Sequence, residues 1–73
     1  MKLQYLGNDR FDRPVYKDES ERLWKDVEPR ADRESDLCTY YNNEFDGEPD
    51  TNMRYIKRYE NIEIEYIPYR ITW

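Results

Sequence analysis

The chain has no histidine, one cysteine and two glycines. Without histidine or a second cysteine it can form neither an internal disulfide nor a Cys/His zinc site. Gly7 and Gly47 alone cannot make a glycine-rich phosphate loop. No stretch approaches the roughly 20 apolar residues of a membrane span. Met1 to Gly7 carries a lysine but no long apolar run behind it, which predicts no secretory signal. These absences predict a cytoplasmic protein with no cofactor, no bound metal and no membrane association.

Apolar residues are also scarce. Leu, Ile, Val and Phe total 13 of 73 residues, just under the roughly 20% at which disorder becomes a serious reading. Charged residues, at 40%, pull the same way. Eight tyrosines, two tryptophans and two phenylalanines pull against it. Such rings bury large areas while keeping a polar edge near water, which suits a thin domain. Residues 1–73 therefore read as one small folded domain with an aromatic core.

Twelve basic and 17 acidic side chains leave a net charge of −5. That balance argues against direct nucleic-acid binding, which calls for a basic face. The acid excess is concentrated. Residues 30–52 hold seven acids and two arginines, whereas 1–29 and 53–73 are nearly balanced. Residues 28–52 thus read as an acidic connecting region between two better patterned ends.

The pattern predicts an α+β, β-dominated fold: a small antiparallel sheet of about four to five strands. Pro14–Lys17 and Arg22–Val27 form a first hairpin, 14–27, around a polar loop. Its apolar pairs, Val15-Tyr16 and Leu23-Trp24, fit strands with some cover on both faces or the start of a helix; the hairpin is preferred. Leu37, Tyr40 and Tyr41, spaced i, i+3, i+4 after Ser35-Asp36, favour one short helix near 36–42. The same letters also suit a strand. Ile62, Ile64 and Tyr66 alternate with Glu63 and Glu65, so 53–67 reads as a second hairpin with a turn at Glu60-Asn61. Tyr69–Trp73 supplies a last short strand.

Candidate chemistry is sparse. Cys38 has no histidine to activate it and reads as a small buried hydrophobe. Carboxylates are so many that no acid–base pair is singled out. Asn42, Glu44, Asp46 and Gly47 open like a calcium loop, but Met53 stands where the twelfth-position glutamate belongs. Glu44, Asp46, Glu48 and Asp50 therefore read as an acidic surface, with weak calcium binding as an alternative. Trp24, Tyr40, Tyr41 and Trp73 are the candidate partner-binding aromatics, since Tyr and Trp dominate protein–protein hot spots.

Tyr5-Leu6-Gly7-Asn8-Asp9, Asp12-Arg13-Pro14-Val15-Tyr16-Lys17-Asp18, Arg22-Leu23-Trp24-Lys25-Asp26-Val27 and Asn42–Asp50 together resemble a small uncharacterised domain of gut Firmicutes. It occurs alone or attached to the large polyvalent proteins of mobile elements. The resemblance spans residues 5–50, implies an accessory role in a mobile element, and transfers no catalytic residue. The resulting expectation is a non-enzymatic protein-interaction module with a protein partner, as a monomer or weak homodimer. The alternative from another class is an acidic nucleic-acid mimic that inhibits a DNA-acting protein.

Overall fold

Runs of consecutive buried residues mark strands that lie at the middle of a sheet with both faces covered. Pro14, Val15 and Tyr16 form one such run, and Trp24, Lys25 and Asp26 another. The computed structural model, which describes residues 1–73, places both at the centre of one six-stranded mixed sheet. Its strands are β1 (Lys2–Asn8), β2 (Pro14–Lys17), β3 (Leu23–Asp26), β4 (Leu37–Tyr40), β5 (Pro49–Asn52) and β6 (Glu65–Ile67). The spatial order is β5-β4-β3-β2-β1-β6. All neighbours run antiparallel except β1 and β6, which are parallel.

The expected first hairpin is present as β2–β3, with Tyr16 opposite Trp24 and Val15 opposite Lys25. The other local readings change. Residues 37–40 are a strand, and only a single 3-10 turn, Tyr41–Asn43, follows. Leu37, Cys38, Thr39 and Tyr40 are all buried, so this segment serves both faces and has no helical stripe. Residues 28–52 contribute β4 and β5 to the sheet, giving six strands rather than four to five. Helical content is confined to short 3-10 turns.

The second hairpin, 53–67, does not form. Met53–Tyr55 and Lys57–Tyr59 are 3-10 turns. Only Glu65–Ile67 joins the sheet, and it pairs with β1 at the opposite edge from β5. Residues 53–64 must therefore cross the sheet, a width of roughly 24 Å for five strand spacings. The alternation of Ile62, Ile64 and Tyr66 with Glu63 and Glu65 is real as a pattern of burial. It reports one-sided cover on the sheet, not a ladder with the preceding segment. Tyr69–Trp73 forms no strand. It follows a cis Ile67–Pro68 bond and doubles back, with the Trp73 amide donating to the Pro29 carbonyl at 2.8 Å.

The crossover covers one face. Leu3, Tyr16, Trp24 and Leu37 form the buried cluster there, with Met53, Ile56, Tyr59, Ile64 and Tyr66 packed on it. Tyr59 meets Trp24 and Tyr66 meets Tyr16 edge-on, each with ring centres 5.1 Å apart. Such pairs contribute about 0.5–1.5 kcal/mol beyond the area they bury. The other face is covered by the β4–β5 connection, where the side chain of Asn43 bridges Leu23 N and Glu21 O.

Two turns share one construction. After β1, the Asp9 carboxylate accepts the amides of Phe11 and Arg13, the Asp9 amide donates to the Arg13 carbonyl, and Asp12 lies at φ 64°. After β2, Asp18 does the same with Ser20 and Arg22, and Glu21 lies at φ 67°. Both aspartates are nearly covered, at 6% and 7% exposure. Their side chains satisfy amides that the tight turn would otherwise bury unpaired.

Candidate functional site

Beneath the β4–β5 connection lies a buried polar cluster. Lys25 is fully covered, and its Nζ donates to the Gly47 carbonyl at 2.8 Å. Asp9 Oδ2 stands 3.6 Å away, and the ammonium sits 4.1 Å from the centre of the Tyr40 ring. Arg13 Nε reaches the same Asp9 oxygen at 3.0 Å. Burial, aided by the nearby Arg13 charge, lowers the Lys25 ammonium from its ordinary value, and Asp9 opposes the shift. Burial raises the Asp9 carboxyl, but the Arg13 and Phe11 donors outweigh it and hold it below the usual range. Every charge here is engaged from within the chain, so the cluster is architecture.

Cys38 is interior, and burial, then the charge of Asp36, pushes its thiol upward. A protonated, covered thiol is a poor nucleophile. Glu44, Asp46, Glu48 and Asp50 are all exposed. Asp46 is tied down, its Oδ1 accepting the Arg10 amide at 2.9 Å. Nowhere do three Asp, Glu or Cys side chains come together as a metal ion would require. The other acids of the 30–52 segment, Asp32, Glu34 and Asp36, lie before β4, while 44–50 follow it. The acidic charge is thus split between the two ends of one strand.

The candidate aromatics divide in the same way. Trp24 is fully buried, its indole N–H bonded to Asp18 Oδ2 at 2.9 Å. Tyr40 is 3% exposed beside Lys25. Neither can offer a ring to a partner: with so few aliphatic residues, the largest rings are needed inside. Tyr41 and Trp73, at 62% and 59% exposure, remain free.

A concavity of about 1240 Å³ lies between the loop before β4 and the crossover. Leu37, Met53, Tyr59, Ile62, Ile64 and Tyr66 supply its apolar lining. Ser35 and Tyr66 are joined through their hydroxyls at one side. Arg70 closes one end, donating to the carbonyls of Arg33 at 2.7 Å and Arg30 at 3.0 Å. Behind it, Asp26 Oδ2 and Arg70 Nε are buried without hydrogen-bond partners, and the Arg70 guanidinium stands 3.6 Å from that oxygen. Tyr55 and Tyr69, exposed by 77% and 67%, are chain neighbours of the lining residues Arg54 and Arg70.

No protein-family model, curated protein or solved structure matches the chain.

The cleft is not visible in the sequence because its two walls come from segments far apart in the chain. The alternation puts Ile62 on the same face as Ile64 and Tyr66; only the structure separates it, outside the core cluster and in the cleft lining.

Proposed function

We propose that the protein is a non-enzymatic protein-interaction module, an accessory protein of a bacterial mobile element, that docks a protein partner in the cleft between residues 28–36 and 53–64. The observation that carries this reading is the cleft itself: an apolar floor within a charged rim, flanked by exposed tyrosines. Interfaces concentrate apolar and aromatic anchors inside a polar border in the same way. Its volume exceeds the roughly 300–1,000 Å³ of small-molecule pockets. The resemblance of residues 5–50 to domains accompanying mobile-element proteins supports the accessory role. The free chain is a monomer or weak homodimer, since the edge strands β5 and β6 are short and each is flanked or opened by proline. Direct nucleic-acid binding does not fit the net charge of −5.

The test is site-specific photo-crosslinking in the cells that make the protein. A benzophenone amino acid replaces Ile62 in the cleft or Lys17 on the opposite face. The reading expects a discrete adduct from position 62 and none from position 17. Equal labelling from both, or an adduct from position 17 alone, would remove the cleft as the docking surface.

A further inference from the structure

We propose that the partner segment taken by this cleft is a cationic one: an extended peptide with an apolar side chain between lysines or arginines. The inference rests on the reading of the cleft as a docking surface and names what that surface selects.

It follows from which charges around the cleft are already engaged. Five carboxylates and three arginines line it. Asp36 is held by Arg54 at 2.6 Å, and Asp32 by Arg30 at 2.8 Å. Arg70 is committed to Asp26 and to two backbone carbonyls. Glu28, Glu34 and Glu60 then remain without an ion pair, against Arg33 as the one lining arginine lacking a carboxylate partner. All three glutamates are exposed and sit on both walls, two before β4 and one on the crossover. Counted over the lining residues, the free charge is therefore negative, while the floor between is apolar; Lys57 and Arg58, exposed on the crossover without an ion pair, lie outside the lining. A peptide that matches places one apolar side chain on Ile62 and Tyr59 and its cations towards the two walls. The chain's overall negative charge steers the same class of partner at longer range.

The test is amide NMR titration of the full chain with three short acetylated peptides: Arg-Leu-Lys-Leu-Arg, its glutamate analogue Glu-Leu-Glu-Leu-Glu, and neutral Gln-Leu-Gln-Leu-Gln. The basic peptide is expected to shift amides of 28–36 and 53–64 most strongly. Its affinity should fall roughly fivefold or more in the triple variant E28Q/E34Q/E60Q and again as salt rises from about 50 to about 300 mM. These glutamates are exposed, so an unchanged melting temperature shows that the variant keeps its fold. Equal or tighter binding of the acidic or neutral peptide in the cleft overturns the cationic class and leaves the docking surface standing. Basic-peptide shifts confined to 44–50 overturn it in favour of the acidic loop. No shift from any peptide also overturns it, and the crosslink at position 62 then decides the docking surface separately.

Discussion

The indole N–H of Trp24 donates to Asp18 Oδ2 at 2.9 Å, and the same carboxylate holds the Ser20 and Arg22 amides through Oδ1. One aspartate thus ties the central ring of the core to the turn that brings β3 against β2. Trp24→Phe leaves a covered carboxylate oxygen unpaired and should cost about 2–4 kcal/mol. Asp18→Asn sets an amide against at least one donor and should cost about 1–3 kcal/mol. The double variant should fall short of their sum by about 1 kcal/mol or more. Urea unfolding of the three variants measures this; strict additivity would deny the link.

Glu21 adopts φ 67°, a left-handed conformation that glycine tolerates without strain. Its only side-chain partner is an exposed ion pair with Lys17 at 3.2 Å, worth little. Glu21→Gly should therefore leave stability within about 0.5 kcal/mol or raise it, whereas Glu21→Val should lower it by about 1 kcal/mol or more. Thermal unfolding of both variants distinguishes this from a general intolerance of the turn.

A methyl group on Gly47 would lie 2.8 Å from the Tyr41 carbonyl oxygen and 3.0 Å from that of Glu44. Both atoms are backbone and cannot swing aside. The Gly47 carbonyl is also the acceptor for the buried Lys25. Gly47→Ala should destabilise by about 1–3 kcal/mol, with amide shifts carried to Lys25 and Tyr40. A wild-type melting curve would show that the connection can move off β3 freely.

Burial pushes the Tyr16 hydroxyl up to about 12 in the folded chain, against about 10 when unfolded. The folded state thus holds this proton more tightly. Its contribution is complete below pH 10 and is lost as pH rises from about 10 to about 12, amounting to about 2–3 kcal/mol. Burial raises Tyr40 and Tyr66 as well, so they act in the same direction. Lys25, lowered by burial, acts oppositely: releasing its proton relieves a cost as pH rises. The tyrosines outnumber it, so net stability should fall above pH 10. In Tyr16→Phe the alkaline decline should be shallower, measured by denaturant unfolding at stepped pH. That variant also loses the bond from the Ile71 amide at 3.0 Å, so the slope with pH is the informative quantity.

Much of the centre was legible. The apolar pairs Val15-Tyr16 and Leu23-Trp24 fitted strands with cover on both sides or the start of a helix; the preferred strands are β2 and β3. The aromatic core was legible too, because a chain so poor in aliphatic residues has little else to bury. The same scarcity is why Trp24 and Tyr40 were drawn inward and could not serve as contact residues. Leu37–Tyr40 satisfied a helical spacing and a strand equally. Its neighbour β3 decided the matter by offering a free edge, with Trp24 opposite Thr39 and Asp26 opposite Leu37.

The sequence by itself determined the strand-rich class, the aromatic interior and the β2–β3 hairpin, because these follow from composition and from contacts a few residues apart. Only the tertiary structure decided that β6 pairs with β1, that residues 53–64 cross the sheet, and that the cleft lies between them and the loop before β4. Burial alternation records which side of a segment is covered; it carries no information about which distant strand supplies the backbone partners. That choice was made where the crossover could cover Leu3, Tyr16, Trp24 and Leu37 at once.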